Sequence, residues 1–153
     1  MVYLAIFTHV FGVSGWGAMR SNSKMIKLKP MSETPKKILI SRSHAGQVKD
    51  LASKAFGSDY EVESAGGSGY KTLRLLDATA ELYLHKTAIK KWDTCAGDAI
   101  IRSVGGSMLD LRGNTLKYGP SSNVVNHYGL VVSAHSPYTY YKKLRPYLKD
   151  TMR

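Results

Sequence analysis

Short apolar runs alternate with segments of helical periodicity along most of this 153-residue chain. The apolar runs predict buried strands at 37–41, 60–64, 81–85 and 129–134. The helical pattern predicts amphipathic helices over 45–56, 70–76, 94–104 and 137–148. Because strands that alternate with helices form sheets covered by helices, the predicted fold class is α/β with a mixed sheet.

The remaining segments have weaker patterns. Residues 107–111 and 115–118 flank a Gly-Asn pair, which predicts a hairpin. Residues 2–10 favour one buried strand, and residues 12–35 have the composition of a loop or linker with one short strand near Trp16. No run is long and apolar enough to cross a bilayer, and the start lacks the basic region of a signal peptide. The sequence therefore indicates no compartment.

The chain is strongly basic, with 22 Lys and Arg against 11 Asp and Glu and a net charge of +11. Such an excess indicates an anionic partner: nucleic acid, a phosphorylated metabolite, a membrane surface or an acidic protein. Because the basic residues are scattered and form no run longer than a pair, no specific nucleic-acid partner is predicted. A solvated basic surface and an absent acidic partner segment are the alternatives. The single cysteine, Cys95, excludes an internal disulfide.

The run Trp92-Asp93-Thr94-Cys95-Ala96-Gly97 leads into the predicted helix over 94–104. Asp93 is predicted to cap that helix, since an aspartate carboxylate accepts the free N–H groups of a first helical turn. The small residues after it would leave the positive end of the helix dipole open to an anion. A carboxylate that also holds a divalent cation would complete a receptor for a phosphate ester. The alternative is an ordinary N-cap without a ligand.

Two further turns between strands and helices carry polar residues. Ser41-Arg42-Ser43-His44 offers hydroxyls and an imidazole for a sugar or base edge, although Ser43 could simply cap a helix. Gly66-Gly67-Ser68-Gly69-Tyr70-Lys71 offers backbone N–H groups and a positive charge to an anion, although a plain glycine-rich turn fits equally well. In open α/β sheets, ligands bind at such turns. No carboxylate pair or nucleophilic triad accompanies them, so no catalytic residue is predicted.

These motifs carry a family resemblance. WDTCAG at 92–97 resembles the C-terminal signature of the inositol monophosphatase superfamily. SRSH at 41–44 and GGSGYK at 66–71 narrow it to the 3′(2′),5′-bisphosphate nucleotidase branch, and to its Golgi-resident members in particular. KKWD at 90–93 and GGSMLD at 105–110 agree with that branch.

The resemblance implies the C-terminal half of a layered α/β/α/β/α sandwich and the activity of a magnesium-dependent, lithium-sensitive phosphatase. Its substrate would be 3′-phosphoadenosine 5′-phosphate or an inositol phosphate. By this resemblance Asp93 is a ligand of Mg²⁺, Ser41 and His44 contact the adenosine portion, and Gly67 and Lys71 contact the phosphate.

The family's Glu-Glu metal motif and its Asp-Pro-hydrophobic-Asp-Gly/Ala-Thr loop do not occur in this sequence. These motifs supply most of the metal ligands, and Asp93 alone should hold Mg²⁺ weakly. We therefore expect residues 1–35 to be remnant strands of the N-terminal half plus a linker, and residues 36–153 to be the C-terminal α/β subdomain. Such a partial or truncated phosphatase is expected to be inactive alone. Its exposed strand edges could favour a homodimer.

Overall fold

The computed structural model describes residues 4–7, 10–13, 16–22, 24–28, 30, 36–43 and 45–148. The strands are β1 (Leu4–Phe7), β2 (Val10–Val13), β3 (Gly17–Arg20), β4 (Lys36–Ser41), β5 (Tyr60–Ala65), β6 (Leu82–His85), β7 (Ile89–Lys90), β8 (Ser107–Leu109), β9 (Val125–Asn126) and β10 (Leu130–Ser133). The α-helices are α1 (Ala45–Phe56), α2 (Ser68–Leu76), α3 (Cys95–Ser103) and α4 (Pro137–Leu144).

The central sheet has five strands in the order β5-β4-β6-β10-β8. Strand β4 pairs in parallel with both β5 and β6, whereas β10 runs antiparallel to β6 and β8. The predicted α/β class with a mixed sheet is therefore confirmed. The carboxyl ends of β4, β5 and β6 lie at one edge of this sheet, which is where ligands bind in open α/β folds.

The central sheet is covered on both faces because its strands are apolar on both. In β4, Ile38 and Ile40 join one buried cluster with α1 and α4, while Leu39 joins the other with α2 and α3. The alternation follows from the two-residue period of a strand. Each face thus packs on a pair of helices.

A second sheet, β1-β2-β3, is antiparallel and packs on the outer side of α3. The approach is close, since a Cβ on Gly12 would lie 2.9 Å from Ser103 Oγ and 3.0 Å from Ile100 Cα. Glycine is therefore required where β2 crosses the helix. The order three-stranded sheet, helices, five-stranded sheet, helices accounts for four of the five layers expected.

The predictions for the first 35 residues were partly wrong. The single strand predicted over 2–10 is replaced in the described residues by two antiparallel strands, β1 and β2. Strand β3 confirms the short strand near Trp16, but β2 reaches into the segment predicted as a loop.

The predicted hairpin was also wrong. Strand β8 pairs with β10, and only an isolated bridge joins Leu109 to Thr115. The Asp110 carboxylate accepts the N–H groups of Arg112 and Asn114, each at 2.9 Å, and this local turn ends the pairing.

The last helix is shorter than predicted. Helix α4 stops at Leu144, and a 3-10 turn, Arg145–Tyr147, continues it. Pro146 cannot donate a backbone hydrogen bond, which disfavours a longer α-helix. Among the described residues, no helix combines the length and apolarity needed to span a membrane.

Candidate functional site

A pocket of about 650 Å³ opens at the carboxyl edge of the central sheet. The three turns singled out in the sequence meet there. The pocket is lined by Ser41, Arg42, Ser43, Ala65, Gly66, Gly67, Ser68, Gly69, Lys71, Tyr83, Ile89, Trp92 and Asp93. Four of the five predicted site residues, Ser41, Gly67, Lys71 and Asp93, thus lie around one cavity. The fifth, His44, lies outside the described residues.

Ser41 ends β4, and its side chain is held by the neighbouring strand. Its Oγ lies 3.0 Å from Nδ1 of His85, at the end of β6, and His85 Nε2 lies 3.1 Å from Thr87 Oγ1. Both imidazole nitrogens are therefore engaged by hydroxyl groups. His85, which no sequence signal linked to Ser41, fixes the direction of the Ser41 hydroxyl at the pocket wall.

The glycine-rich turn forms the entry to α2. Gly67 has φ +71° and occupies the N-cap position without a side-chain cap. That backbone conformation favours glycine, and the lack of side chains at Gly66 and Gly67 leaves the start of α2 open to the pocket. The N–H groups of a first helical turn and the helix dipole both attract an anion.

Lys71 is buried, with 2% of its surface exposed, although it lies in the first turn of α2. Its Nζ donates to the Ala65 carbonyl at 3.2 Å and lies 4.6 Å from the centre of the Tyr83 ring. Burial, and secondarily the positive charge of Arg42, lower the pKa of Lys71 from 10.5 to about 8. The ammonium is therefore held beneath the pocket floor with few opposing charges.

Two pocket residues escaped the sequence reasoning. Arg42 lies in a turn that was examined for its hydroxyls and imidazole, and a Cβ on Gly66 would be 3.8 Å from its guanidinium carbon. Tyr83 lies within a strand, where its aromatic ring predicted only a buried position. Burial raises the pKa of Tyr83, so its hydroxyl stays protonated near neutral pH.

Asp93 is exposed and lines the pocket, but it does not cap α3. It ends a 3-10 turn, Lys91–Asp93, and Thr94 occupies the N-cap position. The Thr94 hydroxyl donates to the Lys91 carbonyl at 3.0 Å and stabilises this turn. The predicted N-cap was therefore wrong, and the carboxylate is instead available to a ligand in the pocket.

The small residue Gly97 also has a different role from the one predicted. A Cβ on Gly97 would lie 2.8 Å from Thr72 Oγ1, because α3 packs directly on α2 at this point. Thr72 is fully buried and donates to the Ser68 carbonyl at 3.1 Å. Gly97 therefore sets the spacing between the two helices whose starts form the pocket, rather than exposing backbone to an anion.

The donor set around the pocket fits one position in the coordination shell of Mg²⁺ and no more. Carboxylate oxygen is the ligand that Mg²⁺ prefers, and Asp93 supplies it. Within the part of the chain that the structure describes, no three His, Cys, Asp or Glu side chains are grouped so as to hold a metal ion. A complete site would need oxygen ligands from water, from substrate phosphate or from other protein groups.

The fold and the pocket define a layered α/β protein with a basic, glycine-lined cleft at the carboxyl edge of its parallel strands. The model of the inositol monophosphatase family matches residues 2–151, and the chain belongs to that family.

Two relatives and one solved structure illustrate the similarity. The chain is 43% identical over 113 residues to inositol monophosphatase 3 of Danio rerio, covering 70% of this chain and 33% of the relative. It is 40% identical over 133 residues to the Golgi-resident adenosine 3′,5′-bisphosphate 3′-phosphatase of Rattus norvegicus, covering 77% and 37%. A crystal structure of an IMPase/NADP phosphatase complexed with Mg²⁺ and phosphate has a TM-score of 0.63 at 17% identity, covering 88% of this chain and 48% of that one. The chain spans about a third of the length of the two relatives.

Proposed function

We propose that this chain supplies the nucleotide-binding part of a magnesium-dependent phosphatase that removes the 3′-phosphate of 3′-phosphoadenosine 5′-phosphate. The observation that carries the proposal is the meeting of Ser41, Gly67, Lys71 and Asp93 around one pocket. The pocket volume lies in the range of small-molecule sites. The name of the rat relative supports this substrate, and an inositol phosphate is the related alternative.

Each side chain has a role that suits its surroundings. The Lys71 ammonium and the open start of α2 at Gly67 bind a phosphate, since both offer positive charge or N–H donors. The Ser41 hydroxyl, oriented by His85, hydrogen-bonds the sugar or the base. His44 joins Ser41 on the adenosine side by family resemblance.

Asp93 is the candidate ligand of Mg²⁺. A bound Mg²⁺ neutralises phosphate charge and increases the acidity of coordinated water. One carboxylate gives a weak site, because Mg²⁺ dehydrates reluctantly and needs near-octahedral oxygen ligands. The described residues around the pocket therefore fit binding of the phosphate ester better than its hydrolysis.

The purified 153-residue chain is expected to release no phosphate from 3′-phosphoadenosine 5′-phosphate above the uncatalysed background. A sensitive phosphate assay with and without Mg²⁺ measures this, with Asp93→Asn as the matched variant. Magnesium-dependent release by the parent that disappears in Asp93→Asn would contradict the expectation, because it would mean that the chain assembles a working metal centre.

A binding module without catalysis is the second candidate, favoured by the single pocket carboxylate among the described residues. It differs from the first in what a longer protein containing this chain would do. Hydrolysis by such a protein, lost on Asp93→Asn, supports the phosphatase. Tight nucleotide binding without hydrolysis under the same conditions supports the module.

Binding of adenosine 3′,5′-bisphosphate at pH 8 is expected to take up about half a proton per site, because the pKa of Lys71 is about 8 and an anion beside the ammonium raises it. The charged or titratable groups that face Lys71 are Arg42, Tyr83 and, through Tyr83, Asp93. The phosphates are already dianionic at this pH. Calorimetry without metal in two buffers of different ionisation enthalpy measures the uptake, and identical heats in both buffers would contradict it.

A further inference from the structure

The phosphate-binding pocket contains a second cation that the roles proposed above leave unused. Arg42 follows directly after β4, is exposed, and lines the pocket together with Lys71. Its guanidinium packs beside the glycine turn, 3.8 Å from where a Cβ on Gly66 would lie. Any larger residue at this position would compete with the guanidinium for space next to the start of α2.

The charge of Arg42 is not neutralised by a neighbouring carboxylate. Among the residues that the structure describes, the ion pairs of arginine are those of Arg20, Arg74 and Arg102. Asp93 lines the same pocket but does not come within ion-pair distance of Arg42 in this set. The charged neighbour that acts on Lys71 is Arg42, another cation.

Two cations that face one cavity without a compensating carboxylate repel each other, and the repulsion is relieved when anionic charge enters between them. A single phosphate satisfies Lys71 and the start of α2. The guanidinium, on the strand side of the cavity, is then free for a second anionic group. Its planar array of donors matches two oxygens of a phosphate at once.

We propose that Arg42 binds the second phosphate of a bisphosphate ligand and so makes the pocket select bisphosphates over monophosphates. The proposal rests on the proposed function in one respect, namely that the pocket binds a phosphate ester. It adds a specificity-determining residue and assigns the two anionic groups of the ligand to two different cations. Lys71 binds one phosphate and Arg42 binds the other.

The test is calorimetric titration of the full chain with adenosine 3′,5′-bisphosphate and with adenosine 5′-monophosphate, without metal. For Arg42→Gln we expect the affinity for the bisphosphate to fall by about 10-fold and the affinity for the monophosphate to fall by less than about 3-fold, since one charge-assisted pair is lost with only one of the ligands. Arg145→Gln, which removes the same charge at an exposed position after α4, should change neither affinity.

The outcomes separate this proposal from the one on which it rests. Equal losses for both nucleotides in Arg42→Gln, or no loss for either, would overturn the role of Arg42 and leave the phosphate-binding function standing. Failure of the unmodified chain to bind either nucleotide would overturn both. A circular dichroism spectrum and unfolding midpoint matching those of the parent exclude misfolding as the cause of a loss.

Discussion

Replacement of Lys71 by methionine is expected to weaken binding of adenosine 3′,5′-bisphosphate by about 10- to 100-fold, the effect of losing a hydrogen bond to a charged group. Methionine keeps most of the aliphatic volume of this buried side chain while removing the ammonium that lies over Tyr83. Calorimetric titration of the parent and the variant measures the change. Lys142→Met, on the exposed side of α4, is the matched control and should bind as the parent does.

The same variant should not lose stability. The pKa of Lys71 falls from 10.5 to about 8 on folding, so the folded chain holds fewer protons than the unfolded chain between these values. The free energy of unfolding contributed by this group therefore rises with pH across that window. At pH 7 the lysine is charged in both states and its burial is costly, so Lys71→Met should unfold at an equal or higher denaturant concentration.

Two results would contradict this account of Lys71. If Lys71→Met binds the bisphosphate as tightly as the parent, the ammonium does not contact the ligand. If the variant is less stable than the parent at pH 7, the hydrogen bond to Ala65 matters more for folding than the cost of burying the charge.

Replacement of Gly97 by valine is expected to lower the free energy of unfolding by about 1–3 kcal/mol, as overpacking of a buried contact does. The new Cβ would lie 2.8 Å from Thr72 Oγ1, and Thr72 cannot easily move, because it is buried and donates to Ser68. The helices α2 and α3 would have to separate. Since their starts carry Lys71 and Asp93, nucleotide binding should weaken as well.

Gly46→Val is the matched control for this prediction. Gly46 is also helical, in the first turn of α1, but a Cβ there meets nothing within 4 Å. Both substitutions change helix propensity in the same way, so the difference between them isolates the α2–α3 contact. Chemical denaturation of both variants measures it. Equal stability of Gly97→Val and Gly46→Val would mean that the close helix contact does not constrain position 97.

The local structure of this chain could be predicted where one pattern dominates. Strand β4 and helix α1 follow from an apolar run and a helical period, and each was predicted to within a residue or two. The predicted hairpin failed because Asp110 organises a local turn that competes with strand pairing. A residue's propensity for a strand does not specify which strand it pairs with.

The pocket could be predicted in part for the same reason. Each of the three turns was visible in the sequence, because glycine, serine and a lone aspartate stand out where strands give way to helices. Contacts between turns depend on the order β5-β4-β6, which the sequence does not specify. That order brings His85 to Ser41 and the Tyr83 ring to Lys71. Likewise, the spacing role of Gly97 requires knowledge of which helix lies beside it.

The central claim is that three turns, distant in sequence, form one site for a phosphate ester. Amide resonances in an NMR titration with adenosine 3′,5′-bisphosphate test it most directly. The account predicts saturable shifts that share one dissociation constant at residues 41–43, 66–71 and 92–93. Shifts confined to other regions, such as the exposed face of α1 and α4, or no saturable shift at these three turns, would contradict it.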